Sequence, residues 1–317
     1  MISSELLNKL KTITPEEEKI LKGQKDIDRN IYMNKSCDVV SNKKMLSGGK
    51  LIDVRPHTRF VHFPKHSHDY VEIVYMCSGS TTHIVNGDKI ELRTGELLFL
   101  CQSAKQEILP AGKDDIAVNF MVMPEFFDHT LKMIGEEDTP LKSFIVDCLK
   151  SKHSNMGYMH FKVSDVLPVQ NLLENLIWTL VYGAPNKRSI NQITMGLVFL
   201  QLIGCTEKMV QSSTSDDITV KVLRYIEEKY RTGSLRELSE ILHYDISSIS
   251  REIKDKTGKT YTELVWEKRL SQSCFLLKNT NMTIDEIAIN VGYENISYFY
   301  RLFKKRYGIS PKKYRDS

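Results

Sequence analysis

Apolar residues recur along this chain in blocks of different period, and each block predicts a different element. Between residues 3 and 21, Leu6, Leu7, Leu10, Ile13, Ile20 and Leu21 fall at helical spacing, with Pro15 opening a second turn. This segment reads as a helical arm packed on another part of the molecule. Residues 50–123 switch to short apolar runs, such as Val71-Glu72-Ile73-Val74-Tyr75 and Leu97-Leu98-Phe99-Leu100, separated by Gly and polar clusters. Asn86-Gly87 suits a two-residue hairpin in which both positions take positive φ. Short strands at regular spacing predict a β-barrel or sandwich. Helical spacing returns over 166–182 and 190–209, on either side of the breaker Gly183-Ala-Pro-Asn-Lys-Arg188. Two such helices suit either a core or pairing with a second subunit. Residues 211–217, QSSTSDD, have linker composition.

The last hundred residues contain a repeat. Ser234-Leu-Arg-Glu237 and Thr283-Ile-Asp-Glu286 both have the capping-box pattern, each ahead of an apolar helical run. Each run breaks into a short turn, at His243-Tyr244-Asp245 and at Gly292-Tyr293-Glu294-Asn295, and Asp245 and Asn295 are good N-caps for a following helix. In the following helices Ile249 and Ile253 form one apolar row, and Phe299 and Phe303 form the other. At matching offsets from these rows stand Ser247, Ser250, Arg251 and Lys254 in the first copy, and Ser297, Tyr300, Arg301 and Lys304 in the second. Helix, short turn and helix with a polar stripe is the helix-turn-helix pattern, whose second helix fits the major groove of DNA. Between the copies, residues 260–278 read as one helix of about 28 Å, a spacer suited to readers about one DNA turn (~34 Å) apart.

Charge sharpens this picture. The net charge is +4, and residues 1–215 carry 25 Lys+Arg against 25 Asp+Glu, so the excess lies in residues 216–317, with 19 against 15. In the final stretch Arg301, Lys304, Lys305, Arg306, Lys312, Lys313 and Arg315 face only Asp316. A basic end on a neutral body points to a polyanion. Hydrophobic residues at 41% and charged residues at 26% exclude a collagenous, mucin-like or wholly disordered chain. No apolar run reaches the ~18 residues of a membrane span, and the N-terminus lacks the apolar core of a secretory signal, so a cytoplasmic location is expected. Six cysteines without CxxC spacing read as reduced thiols.

Residues 218–316 resemble the AraC/XylS-type DNA-binding domain, which carries two helix-turn-helix units joined by a long helix. The stretch from Ile284 to Arg315, IDEIAINVGYENISYFYRLFKKRYGISPKKYR, is close to that family's signature. The first unit departs from it at Ser239, His243 and Ile253, where the family usually has Ala, Gly and Phe. The resemblance implies that Ser247, Ser250, Arg251, Ser297, Tyr300 and Arg301 approach bases. Lys254, Lys304 and Lys305 are assigned to phosphate contacts, and Phe299 and Phe303 to the core.

Five of the nine histidines lie between residues 57 and 83. On a strand, residues 66, 68, 70 and 72 share one face, so His66, His68, Tyr70 and Glu72 converge as candidate effector-binding residues. His66, His68 and Glu72 are also a candidate transition-metal set. The spacing His66-x-His68-x3-Glu72-x6-Gly79 resembles the first cupin motif, and cupin-like barrels commonly precede AraC-type domains as effector sensors. The second cupin motif normally supplies another His, where this chain has Gln106, so neither metal nor cofactor is assigned. His62 and His83 read as structural.

The expected fold is thus α+β and multidomain, a cupin-like β-barrel with flanking helices followed by an all-α double helix-turn-helix domain. Its expected parts are an arm (1–30), a barrel (31–125), a helical dimerisation region (126–210), a linker (211–217) and a DNA-binding domain (218–317) with units at about 235–256 and 283–306. The expected function is sequence-specific regulation of transcription by a non-enzymatic homodimer that binds double-stranded DNA. A small molecule in the barrel modulates it, a sugar or related polyol being the family-level expectation, and an activator would also engage RNA polymerase. The alternative is a metal-dependent cupin enzyme fused to a DNA-binding module. A third reading, a DNA-repair alkyl acceptor, needs an activated thiolate.

Overall fold

The computed structural model describes residues 2–33, 37–46, 50–102, 104–126, 157–183, 187–211 and 218–316. They form two compact units, one running through the strand at Met209–Gln211 and one starting at the helix of Ile218.

The first unit opens with α1 (Ser4–Leu10) and α2 (Pro15–Leu21). Thr14 caps α2 in a capping box with Glu17, and Pro15 takes the first helical position, where no amide hydrogen is needed. Leu6, Leu10 and Ile20 are buried, whereas Leu21 faces solvent. A buried ion pair holds this arm. Glu17 accepts from Arg59 Nε at 2.7 Å and from Nη2 at 3.0 Å. Arg59 also donates from Nη1 to the Lys113 carbonyl and from Nη2 to the Lys11 carbonyl. Burial raises the Glu17 carboxyl's pKa, but hydrogen bonds from Arg59 and Thr14 outweigh it and leave the pKa below the usual range.

After α3 (Arg29–Tyr32) and α4 (Asn42–Met45), two sheets face each other as a barrel. One runs β1 (Val39–Val40), β3 (Phe63–His68), β8 (Gln106–Ile108), β5 (Ser80–Val85), β6 (Asp88–Arg93). The other runs β11 (Met209–Gln211), β10 (Tyr158–Phe161), β7 (Leu97–Leu100), β4 (Val71–Ser78), β9 (Ile116–Val122), β2 (Ile52–Pro56). All neighbours are antiparallel except β1 and β3. Asn86 and Gly87 both take positive φ, 53° and 100°, and close the β5–β6 hairpin with Val85 opposite Asp88. This is the two-residue turn that the Asn-Gly pair predicts.

The barrel reaches beyond residues 31–125. Tyr158–Phe161, inside the expected helical region, is a fully buried strand paired with β7, and Met209–Gln211 pairs with it in turn. The physical reason is that the buried run Leu97-Leu98-Phe99-Leu100 needs partners on both sides. The expected helix over 190–209 accordingly stops at Ile203, and Met209 is already strand. Residues 127–156 and 212–217, most of the expected linker, lie outside the described residues.

Helices α5 (Leu167–Tyr182) and α6 (Lys187–Ile203) pack on one another. Gln170 ties α5 to the barrel. Its Oε1 accepts from the Tyr75 hydroxyl at 2.7 Å, and its Nε2 donates to the Gly95 and Val163 carbonyls.

The second unit is helical throughout its described residues: α7 (Ile218–Lys229), α8 (Leu235–Leu242), α9 (Ile246–Thr257), α10 (Tyr261–Asn279), α11 (Ile284–Asn290), α12 (Ile296–Tyr307) and α13 (Pro311–Asp316). The α10 helix starts at a capping box of Thr260 with Glu263. Thr283 and Glu286 close a capping box on α11. Ser234 and Glu237 close only half of one, because the Ser234 amide donates to the Tyr225 hydroxyl of α7, which also meets the Glu237 carboxyl. The two turns solve one backbone problem differently. His243 takes φ 56° in the first, and Gly292 takes φ 99° in the second. Ile249, Ile253, Phe299 and Phe303 are fully buried. The second unit's core is aromatic, with Tyr293, Tyr307 and Tyr314 packed around Phe299 and Phe303. No helix among the described residues is long and apolar enough to cross a membrane.

Candidate nucleic-acid interface and barrel pocket

Both candidate reader helices begin in the same way. Asp245 Oδ1 accepts from the Ser248 amide and Asn295 Oδ1 from the Tyr298 amide, each at 2.9 Å. The caps fix where α9 and α12 start, and the buried rows Ile249/Ile253 and Phe299/Phe303 fix which side faces inward. Together they place Ser247 and Ser297 at the second helical position, Ser250 and Tyr300 at the fifth, Arg251 and Arg301 at the sixth, and Lys254 and Lys304 at the ninth. Ser247, Arg251, Lys254, Ser297, Arg301, Lys304 and Lys305 are exposed, while Ser250 and Tyr300 are half-buried. The Arg301 guanidinium lies 5.1 Å from the centre of the Tyr298 ring, within cation–π range.

The barrel places His66, His68, Tyr70 and Glu72 around one small cavity of about 30 Å³. They do not lie on one strand. His66 and His68 end β3, Asp69 and Tyr70 bend the chain, and Glu72 belongs to β4 in the other sheet. The four meet because the bend carries the chain from one wall of the barrel to the other.

Residues that the sequence pattern did not single out complete the site. Asn119 of β9 donates to Glu72 Oε1 at 3.0 Å and meets His57 Nδ1 at 2.9 Å. Since the Asn119 amide nitrogen is used on Glu72, its oxygen accepts from His57 Nδ1, which leaves His57 Nε2 an acceptor. That nitrogen has no hydrogen-bond partner, nor have His68 Nδ1 and Glu72 Oε2. Glu72 Oε2 stands 3.4 Å from His68 Nε2, close enough for an ion pair but outside hydrogen-bond geometry. Tyr32 and Arg55 close the cavity, with Arg55 Nη2 donating to the Tyr32 hydroxyl at 2.8 Å. A lone Asn in the otherwise apolar strand Ile116–Val122 was the one local signal for Asn119.

Burial sets the charge state here. It pushes His68 down to about 3 and, with His68 alongside, His66 down to about 4. It lowers His57 against the opposing Asn119 bond, and raises Glu72 against nearby His66 and Asn119. The histidines are therefore neutral at pH 7, and the His68–Glu72 contact is not a full ion pair. Beside this cavity lies a wider hollow of about 310 Å³, which shares Met45, Arg55, Pro56, His57 and Thr58 with it. That volume suits a small molecule.

Gln106 does not complete a metal set. Its Nε2 is 2.7 Å from His83 Nδ1, and His83 Nε2 is 2.9 Å from the Thr81 hydroxyl, an arrangement buried in the wall. Among the described residues no three His, Cys, Asp or Glu side chains gather in a way that holds a metal ion. His62 is a surface residue bonded to Glu107. The alkyl-acceptor reading finds no activated thiolate at Cys77 or Cys205, whose thiols burial pushes up rather than down.

Comparisons with known proteins agree with this division of labour. A model of AraC-like ligand-binding domains matches residues 54–188, and a model of a helix-turn-helix domain matches residues 238–317. The HTH-type transcriptional activator RhaS of Mannheimia succiniciproducens is 26% identical over 259 residues, which cover 80% of this chain and 89% of RhaS. The transcriptional activator PerA of Escherichia coli is 27% identical over 244 residues, covering 74% of this chain and 87% of PerA. Among solved structures, ToxT from Vibrio cholerae is 16% identical, covering 84% of this chain and 96% of that one with a TM-score of 0.31. With an AraC-like ligand-binding domain in front and the tandem helix-turn-helix region behind it, the chain belongs to the AraC family of DNA-binding transcription regulators.

Proposed function

We propose that the chain reads DNA through nine side chains on two helices and is switched by a polar small molecule in its barrel. The observation that carries this reading is the match between α9 and α12, where the same helical positions, counted from equivalent caps, bear Ser, Ser or Tyr, Arg and Lys. Ser247, Ser250 and Arg251, and Ser297, Tyr300 and Arg301, meet base edges; Lys254, Lys304 and Lys305 meet phosphates. The chain acts in the cytoplasm, performs no catalysis and, as an activator, engages RNA polymerase.

The effector sits in the wide hollow and reaches the buried polar atoms His57 Nε2, His68 Nδ1 and Glu72 Oε2, with Tyr70 beside them. Neutral histidines and a carboxyl of raised pKa favour a hydroxyl-rich ligand such as a sugar or polyol, whose hydroxyls can serve each atom left without a partner. Two copies pair through α5 and α6. Ile190, Ile193 and Leu197 form an exposed row on α6, and Trp178 stacks on Tyr182 on the exposed side of α5. Such a row on a helix pair whose other face is already buried suits a second copy of itself.

Arg301→Ala is expected to weaken binding to a selected operator by about 1–3 kcal/mol and to relax base preference at one position. Selection from random duplexes reads both effects, and an unchanged base profile would remove Arg301 from the interface. In a thermal-shift screen of sugars and polyols on the intact chain, one class is expected to raise the melting temperature, and Glu72→Ala to abolish that rise. A chain indifferent to the whole panel would leave the barrel without a sensing role. Ile193→Glu is expected to turn a dimer into a monomer in sedimentation equilibrium; a wild-type monomer would refute the pairing.

The depressed histidines also set a pH dependence. Their folded pKa values, about 4 for His66 and about 3 for His68, lie below the ordinary histidine value of 6.5. Below neutrality the unfolded chain therefore takes up protons first, and stability falls with pH. The expected slope is at most about 1.4 kcal/mol per pH unit for each such histidine. Glu72, with its raised pKa, opposes this as one group against several. Thermal melts of the barrel between pH 7.5 and 5 should show the midpoint dropping, and His66→Gln should flatten the slope.

A further inference from the structure

The α10 helix separates the two readers in sequence, and one of its side chains joins them in space. Arg269 donates from Nε to the Tyr230 carbonyl at 2.8 Å, from Nη2 to the Arg231 carbonyl at 2.9 Å and from Nη1 to the Gly292 carbonyl at 2.6 Å. Tyr230 and Arg231 follow the end of α7 and lead into α8, the first helix of the first helix-turn-helix. Gly292 lies in the turn between α11 and α12, inside the second unit. One planar guanidinium thus binds the lead-in of one reader to the turn of the other.

The fit is close. A Cβ on Gly292 would stand 2.6 Å from the Arg231 carbonyl oxygen and 3.0 Å from Arg269 Cζ. The guanidinium also lies 5.4 Å from the centre of the Tyr293 ring. Alongside, Lys268 pairs with Glu227 at 2.6 Å and fastens α10 to α7. Lysine cannot replace the fork at Arg269, because an ammonium has no fixed planar donors to span three carbonyls.

Resting on the reading of α9 and α12 as DNA readers, we infer that Arg269 is a positioning residue that sets the spacing of the two base-pair sets one chain reads together. Each added base pair moves the second set along the duplex and rotates it by about a tenth of a turn. Readers held rigidly cannot follow that rotation and must give up contacts. Readers released from the shared clamp can follow it.

The test uses the full chain and an operator selected from random duplexes by the wild type. Its two sub-sites are located by the base positions that Arg251→Ala and Arg301→Ala each relax. Fragments with one base pair removed, and with one or two inserted between the sub-sites, are then titrated with wild type, Arg269→Gln, Arg269→Lys and Gly292→Ala. Wild type is expected to lose at least about tenfold in affinity on a one-base-pair insertion, the loss that corresponds to one or more broken base contacts. Arg269→Gln is expected to reduce that discrimination to less than about threefold, and Arg269→Lys to restore little of it. Gly292→Ala, which forces the turn and the lead-in apart while keeping Arg269, is expected to broaden the profile too and serves if Arg269→Gln does not fold. An affinity loss in Arg269→Gln that is equal at every spacing would overturn the inference and make the side chain a fold element only. A wild type that selects an operator but ignores spacing would also overturn it while leaving the DNA-reading proposal intact. A wild type that selects no sequence would sink both.

Discussion

A helix can offer one stripe of side chains to a duplex only when the opposite stripe is buried firmly enough to stop it turning. Everything in the second unit serves that constraint. Ile249 and Ile253 hold α9, and Phe299 and Phe303 hold α12. The side chains at Asp245 and Asn295 satisfy amide groups that the helix ladder leaves free, so neither helix can start a residue early or late. A shift of one residue would rotate the stripe by about 100° and turn Arg251 or Arg301 off the exposed side of its helix. The caps are worth only about 1 kcal/mol each and set where each helix starts, while the buried rows decide which residues face outward.

The barrel follows the opposite logic. Its interior keeps polar atoms that a purely structural wall would have paired. His57 beyond β2, Asn119 of β9 and Glu72 of β4 form a chain of hydrogen bonds, and the chain stops at atoms with nothing to bond. Leaving such atoms buried costs about 1–3 kcal/mol each, a cost more easily explained by a ligand or water that uses them than by packing. The arm stands close to this chamber. Tyr32 bonds Glu16 from α2 and Arg55 from β2, and both Tyr32 and Arg55 line the cavity. The residues that anchor the arm thus also line the cavity.

The tandem readers were legible in the sequence because they rest on local signals. Capping pairs, turn residues and apolar rows all lie within a few residues of one another, and the repeat doubles each signal. The Asn86-Gly87 hairpin was legible for the same reason. The barrel site was legible only in part. The motif from His66 to Glu72 points to side chains that line one cavity, but period-two reasoning joined them into one strand, where a bend at Asp69 and Tyr70 divides them between two sheets. Arg55, His57 and Asn119 reach the cavity through pairing of β2 with β9 and of β9 with β4, contacts that no local pattern encodes. Tyr158–Phe161 was hidden because a four-residue apolar run fits a strand as well as a helix.

The two readers also show where a repeat is free to diverge. Positions that set the outward stripe match from one copy to the other. Positions behind it do not. The second turn uses Gly292 because the Arg231 backbone and the Arg269 guanidinium leave no room for a Cβ, whereas the first has His243 in a left-handed conformation. That conformation costs an ordinary L-residue about 1 kcal/mol or more. The first capping pair takes a tyrosine hydroxyl from α7 in place of its own glutamate, and α9 rests on isoleucines rather than on a cluster of aromatic rings. The first helix-turn-helix is thus held by its neighbours, α7 above all, while the second is held largely by an aromatic core. Arg269 binds the lead-in of the dependent unit to the turn of the self-sufficient one, which makes the second reader the frame on which the first is set.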